Sequence, residues 1–480
     1  MDLAPYGTFG PVGAAHAALH PLMPVALVVC VALVVAFPRT WAAWGSCALA
    51  LAARLAVGGP RPYMHADKAW YYLSEATGEL APDLRYGDGY ASLMGLLQPI
   101  TRGAGDHAFG VDLVLSSMTA GYAAGLAGRV EPRAAWAAGV IAALSPLSVV
   151  LGGSEIPFVA VTALQLAALY GVTGTRPAER LLGCGATILL AHLRPLQIVV
   201  CLPLLALSRR AGGPWWWAAL AGWTWRVVEL GGVLVTGASN GDGLAVHALV
   251  QWLDPLSWAG RQGRILLLDP WVEPLMCVPL AVLGARVAWE RARELTAGAL
   301  GIMALELALY GHQPLWPDRV RFLSPLVAWA AVFAGVGLVR AGRWWPGAVA
   351  ALALTGWWAS EPLAPEGVWM AENRFLRAHV ADVRRGERVA FARGIDTVGV
   401  VRKWLVRSTG AWWEEATNQE PVGSLRFVGV ADRLPGAPPV PWGRLAPIAE
   451  IEAPKVELGM VHLVGDEPVR IGLYRVVAPP

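Results

Sequence analysis

Charge is what this sequence has least of. Only 15% of its 480 residues are Asp, Glu, Lys or Arg, against 56% hydrophobic, where a soluble chain carries roughly 25% charged residues. With a mean hydropathy of +0.48, that shortage excludes an ordinary soluble domain and points to a polytopic membrane protein. The net charge of +3 is too near neutral for nucleic-acid binding, and the cations fall in short clusters between apolar runs, not in one patch. Cysteine is scarce too. Cys30, Cys47, Cys184, Cys201 and Cys277 all lie inside apolar segments, so neither a disulfide framework nor a CxxC metal site is indicated. The stretch from Met1 to Pro21 has no Lys or Arg, so it lacks the basic start of a cleaved signal peptide and the first apolar segment is expected to be retained. No internal repeat is visible. The run Gly237-Ala-Ser-Asn-Gly-Asp-Gly is Gly-rich but has no preceding strand and no GK[ST], which makes it an exit loop and not a phosphate-binding loop.

What is abundant is apolar sequence cut into helix-length pieces. A bilayer core takes about 20 apolar residues in a helix. On that measure about twelve spans are expected, near 22–37, 41–58, 110–127, 134–151, 156–172, 180–193, 195–208, 214–236, 271–288, 296–311, 323–340 and 346–360. Short cytoplasmic loops collect Lys and Arg. Arg39, the pairs Arg129 and Arg133, Arg176 and Arg180, Arg209 and Arg210, the cluster Arg286, Arg291 and Arg293, and the pair Arg340 and Arg343 define that face. Trp215 to Trp217 and Trp344-Trp345 fall at the same ends, as an aromatic belt requires. The opposite face receives the large loop 59–109, the turns at 152–155 and 193–195, and the loops 237–270 and 312–322. From Glu361 the composition changes: short runs at Val389, Leu425, Met460 and Ile471 read as strands, and Asp396 to Arg407 has helical spacing. The expected fold is an all-α polytopic membrane domain over 1–360, followed by a small exocytoplasmic α/β domain over 361–480.

Several polar groups fall on the one exocytoplasmic face. Asp67 sits in His65-Ala-Asp-Lys-Ala-Trp-Tyr-Tyr within the large loop, whose later Tyr90, Leu93 and Leu96 suggest amphipathic helices along the interface. Glu155 opens a span in Gly152-Gly-Ser-Glu-Ile-Pro, Arg194 stands in His192-Leu-Arg-Pro between two apolar runs, and Arg319 and Arg321 belong to Pro317-Asp-Arg-Val-Arg-Phe. A charge held near the bilayer costs about 2.5–3.5 kcal/mol, so an anion should meet arginines placed against the charge bias. Bidentate guanidinium contacts suit a lipid phosphate. Two acids with two or three arginines make a site for a sugar carried on a lipid phosphate: arginines hold the leaving phosphate while a carboxylate deprotonates an acceptor hydroxyl. Each group also has a plain structural reading. Asp67 could pair with Lys68 or Arg61, and His65 is either a ligand or proton relay or a solvated loop histidine. Glu155 could serve the helix dipole, Arg194 could snorkel to headgroups, and Arg319 or Arg321 could pair with Asp318. Arg226 and Glu229, three apart in an apolar run, should form a buried pair.

The order of these motifs resembles the membrane glycosyltransferases of the GT-C fold, the superfamily of the dolichyl-phosphate-mannose protein mannosyltransferases and bacterial aminoarabinose transferases. Asp67 with Tyr71 and Tyr72 is similar to the Asp motif of the first large exocytoplasmic loop. Tyr86-Gly-Asp88-Gly-Tyr90 resembles the Tyr/Pro/Gly-rich turn that follows. Ala143-Leu-Ser-Pro-Leu with Ser154-Glu155-Ile-Pro-Phe resembles the Ser-Pro turn and helix-opening acid, Arg194-Pro195 the basic residue between two spans, and Arg321-Phe322-Leu-Ser-Pro325 the late Arg motif. Short motifs spread over roughly 41–340 carry the resemblance. It implies transfer of a sugar, with inversion, from a polyprenyl-phosphate donor to a glycan, lipid or protein acceptor at a bacterial-type plasma membrane. Asp67 and Glu155 would be catalytic, with Asp67 the base and Glu155 placing acceptor or a divalent metal. Arg194, Arg319 and Arg321 would hold the donor phosphate, and His65, Tyr71, Tyr86 and Asp88 would contact substrate. Where many members have a second acid after the motif Asp, this chain has Lys68, which weighs against a metal at Asp67 and leaves the base role intact. An extra N-terminal span is a second departure. Two other functions compete, a flippase of lipid-linked glycans and an inactive scaffold of the same fold. A transporter should show paired interrupted spans in related halves, and none is visible.

Overall fold

The structure, a computed structural model, describes residues 22–56, 89–90, 92–93, 96, 107–152, 157–194, 196–235, 277–310, 323–342 and 344–360. Nearer the C-terminus it describes 375, 378–379, 382–392, 412–417, 419–429, 432, 439–453 and 469–479. The chain is mostly helical with a small sheet at its C-terminal end.

The described helices are α1 (Met23–Val35), α2 (Trp41–Ala56), α3 (His107–Val130), α4 (Ala134–Leu144), α5 (Pro146–Leu151), α6 (Pro157–Val172), α7 (Pro177–Leu193), α8 (Gln197–Val200), α9 (Leu202–Ala211), α10 (Pro214–Val235), α11 (Cys277–Arg291), α12 (Arg293–Tyr310), α13 (Ser324–Arg340) and α14 (Trp345–Ser360). They fall where the apolar runs place them, with two of the expected spans divided. Pro146 lacks an amide hydrogen and forces the residue before it into extended backbone. Ser145, at φ −55 and ψ 126, accordingly separates α4 from α5. Pro203 stands in the first turn of α9 just past Cys201, where the second division occurs. At the α9–α10 turn Gly212 and Gly213 take φ of 68 and 82, a region open to glycine and strained for other residues.

The lengths depart from expectation. Among the described residues no helix is long and apolar enough to cross a membrane. Several are short: α2 and α6 have 16 residues each and α13 has 17, about 24–26 Å at 1.5 Å per residue against a hydrocarbon core of about 30 Å. Longer ones carry charges, as α10 does with Arg226 and Glu229. The core runs through α3, α4, α6, α7 and α13, where Trp329, Phe158 and Phe333 are fully buried. Glycine sets the closest helix approaches. A Cβ on Gly284 in α11 would collide with the Phe333 carbonyl of α13, and one on Gly337 in α13 would collide with the Leu280 carbonyl of α11.

The basic residues gather at one end of the bundle. There Glu179 ties Arg129 (3.1 Å) to Arg176 (2.8 Å), Arg210 meets Glu294 at 3.3 Å, and Arg291 pairs with Glu131. Trp217 and Trp344 stand exposed at that end. The other helix termini point the opposite way, toward the segments that carry the candidate motifs. Tyr90 and Leu93 correct one expectation. They are helical but fully buried, so these two residues belong to the core and not to a face turned toward an interface.

The C-terminal sheet has strands β1 (Arg388–Phe391), β2 (Trp412–Glu415), β3 (Leu425–Val428), β4 (Leu445–Ala453) and β5 (Val469–Val476) in the order β2-β1-β3-β5-β4. β1 runs parallel to β2 and β3, while β5 is antiparallel to β3 and β4. The runs at Val389, Leu425 and Ile471 are strands as expected. The run at Met460 and the helical stretch Asp396–Arg407 lie outside the described residues. Buried Arg426 is neutralised by Asp432, which also accepts from the Gly429 amide at 2.9 Å. Tyr474 donates to Glu450 across β4 and β5 at 3.0 Å. Burial, reinforced by that carboxylate, pushes the Tyr474 hydroxyl above its ordinary value. For a raised acid, the stabilisation is complete below the unfolded value of about 10 and is lost as pH rises through the folded value. Alkaline titration followed by near-UV circular dichroism is therefore expected to show the sheet weakening above about pH 10. In Tyr474→Phe that transition should shift upward, and an unmoved transition would contradict the assignment.

Candidate active site at the motif-bearing end

Of the residues expected to act in catalysis, donor-phosphate binding or substrate contact, Arg194 is described. Asp67, Glu155, Arg319, Arg321, His65, Tyr71, Tyr86 and Asp88 lie outside the described residues. Arg194 caps the C-terminus of α7 in extended backbone, φ −156 and ψ 151, because Pro195 follows it and disfavours the helical region. The turn is then closed by the Gln197 amide donating to the Arg194 carbonyl at 3.0 Å. The guanidinium, half-buried, lies over the Phe158 ring at 4.6 Å, a cation–π arrangement that suits Arg better than Lys.

Around Arg194 the structure assembles the described residues that flank the other motifs. Phe158 opens α6 three residues after Glu155 in sequence. Thr162, one turn along α6, meets Ser324 at 3.0 Å between hydroxyl oxygens, and Ser324 begins α13 three residues after Arg321. Gly89, from the Tyr86-to-Tyr90 motif, rests on the backbone at the end of α7: an added Cβ would stand 2.9 Å from the His192 and Leu189 carbonyl oxygens. Only glycine fits there without displacing α7, two residues from Arg194. Beside it the Tyr90 hydroxyl donates to buried Asp112 of α3 at 2.5 Å.

A second corner lies where α2 ends before the large loop. Arg54, 2% exposed, donates to the carbonyls of Ala50 (2.9 Å), Ala143 (3.1 Å) and Ser116 (3.4 Å), while the Ser116 hydroxyl donates to the Gly152 carbonyl at 2.8 Å. One cation thus joins α2, α3 and α4, and Ser116 extends the link to Gly152, just before Ser154-Glu155. The expected Arg226–Glu229 pair is present at 2.7 Å, with the buried His192 ring 3.7 Å from the same carboxylate oxygen.

One buried cluster was not anticipated. Glu306 of α12, fully buried, accepts at Oε1 from Gln197 of α8 (2.7 Å) and from Gln165 of α6. Gln165 also donates to the Gln197 side-chain oxygen at 3.1 Å and accepts from the Trp329 indole of α13 at 3.1 Å. The signal available in the sequence was a lone acid or amide inside an otherwise apolar run, which periodicity treats as noise. Among the described residues no group of three or more His, Cys, Asp or Glu side chains could hold a metal ion.

No protein-family model and no curated protein sequence matches the chain. Among solved structures, the chain is similar to a mutant form of the arabinofuranosyltransferase AftD from mycobacteria, determined by single-particle cryo-EM. The TM-score is 0.44 and the identity 14%, with 91% of this chain and 41% of that one covered, so the chain spans well under half the length of that protein.

Proposed function

We propose that the chain is an integral-membrane glycosyltransferase that moves a sugar from a polyprenyl-phosphate donor to a glycan, lipid or protein acceptor on the exocytoplasmic face. The observation that carries this reading is Arg194, held on the Phe158 ring at the end of the bundle opposite its basic loops. The residues flanking the Glu155, Arg321 and Tyr86-to-Tyr90 motifs stand beside it. Glu155 and Arg321 each stand three residues from a described neighbour in sequence, Phe158 and Ser324. In this reading Arg194, with Arg319 and Arg321, balances the charge of the leaving phosphate. Asp67 takes the proton of the acceptor hydroxyl as its oxygen attacks the anomeric carbon with inversion. Glu155 orients the acceptor or a divalent metal, and His65, Tyr71, Tyr86 and Asp88 contact the sugar. Membrane placement is supported by α1, which is apolar nearly all round and exposes Leu27, Val31, Val34 and Val35. A contiguous apolar face of that kind needs lipid or protein to cover it.

The test is transfer of radiolabelled sugar by the purified protein in proteoliposomes, using polyprenyl-phosphate-linked pentose and hexose donors and a membrane extract as acceptor. Asp67→Asn should reduce transfer by roughly 10²–10⁴, the usual worth of a general base. Unchanged transfer at normal expression would remove Asp67 as the base, and a wild-type protein that transfers no sugar from any of these donors would sink the enzyme assignment. Loss of transfer with donor binding retained would sink the flippase reading, which needs no base.

A further inference from the structure

The Glu306 cluster is an expensive construction. A carboxylate removed from water costs several kcal/mol after relaxation (roughly, for a single ion) unless its surroundings compensate. Here two amides donate to Oε1, while Oε2 is buried with no hydrogen-bond partner among the described residues. A well-packed apolar residue would be cheaper at this position, and ionisable groups persist inside such bundles where they serve a site.

Its placement identifies the site. Gln197, the donor at 2.7 Å, begins α8, three residues past Arg194, and its own backbone amide bonds to the Arg194 carbonyl at 3.0 Å. Gln165 lies seven residues, about two turns of helix, along α6 from Phe158, the ring under the guanidinium. Glu306 thus grips both the turn that carries Arg194 and the helix that supplies its ring. The Arg194 guanidinium also lies close enough to interact electrostatically with Glu306.

We propose that Glu306 is a positioning residue for Arg194: through Gln197 it fixes the break between α7 and α8 and so aims the guanidinium at the phosphate of a lipid-linked donor. The inference rests on the reading of Arg194 as a phosphate ligand given above. It has a distinctive sign. By Coulomb's law alone, removing a negative charge near Arg194 would strengthen its attraction for phosphate, whereas loss of positioning weakens it.

The test is a double-mutant cycle read as the affinity of the full-length protein in nanodiscs for a fluorescent polyprenyl phosphate. Glu306→Leu keeps roughly the same bulk and removes both the charge and the oxygen to which Gln197 and Gln165 donate. It should weaken binding about tenfold, the lower end of what partners supporting a ligating side chain contribute. In combination with Arg194→Gln it should add nothing, because Glu306 then has no guanidinium to aim. Gln197→Asn withdraws the linking amide by one methylene and leaves the carboxylate in place; it should behave the same way, and it serves if Glu306→Leu does not fold. Effects that multiply across the cycle, or tighter binding by Glu306→Leu, would overturn the inference while leaving the proposed function standing. A wild-type protein that does not bind polyprenyl phosphate would overturn both.

Discussion

Gly284→Val is expected to destroy the packing of α11 against α13, lowering the thermal unfolding midpoint of the detergent-solubilised protein sharply or abolishing its folding. A Cβ at Gly284 would overlap the Phe333 carbonyl oxygen, and the reciprocal contact of Gly337 with the Leu280 carbonyl leaves no slack on the other side. The obstacles are backbone atoms, which no rotamer change can move. Overpacking a core by a few methylenes usually costs about 1–3 kcal/mol, and here the two helices would have to separate, so a loss above about 3 kcal/mol is expected. Gly347 of α14 is the control: an added Cβ meets nothing within 4 Å among the described residues. Gly347→Ala should therefore be neutral or mildly stabilising, by up to about 1 kcal/mol. Equal effects at the two positions would show that the contact between α11 and α13 is not as close as described.

The second large effect concerns Arg194. Arg194→Gln should weaken the binding of a polyprenyl phosphate by roughly 10- to 150-fold, the equivalent of about 1.5–3 kcal/mol for hydrogen bonds to a charged group. Arg194→Lys should recover only part of this, because an ammonium keeps the charge but loses the bidentate fork and the planar contact with Phe158. Titrating each variant in nanodiscs with a fluorescent polyprenyl phosphate measures both effects. If Arg194 merely snorkels to headgroups, both variants should bind as wild type does, and the phosphate role falls.

Much of the helical architecture was legible because its signal is collective. An apolar run of helix length, closed by Arg clusters or Pro, marks α1, α2, α6, α7 and α13 without reference to any contact. The Arg226–Glu229 pair was legible from spacing alone, since residues three apart share a helix face. What escaped depends on partners distant in sequence. Gln165, Gln197 and Glu306 are single polar residues in separate helices, and nothing in their local sequence says that they meet. Arg54 is similar: its partners are carbonyls of α3 and α4, and carbonyls leave no trace in a sequence. Tyr90 and Leu93 share their periodicity with interfacial helices, and burial separated the two cases. The strands β2 and β4 were hidden by Glu414, Glu415 and Pro447. Both lie at the edges of the sheet, where charge and proline are tolerated.

The site itself was legible as an order of motifs more than as a geometry. Arg194, the Arg54 corner and the Gly89 contact place the flanks of those motifs at one end of the bundle, and in the proposed transferase they serve one ligand. A cryo-EM structure of the protein with a bound polyprenyl phosphate tests this most directly. The phosphate should lie against the Arg194 guanidinium, with Asp67, Glu155 and Arg321 lining the same cavity, since catalytic groups must reach within about 3 Å of their substrate atoms. A phosphate bound elsewhere, or Asp67 more than about 15 Å from it with no groove between, beyond any such reach, would contradict the account.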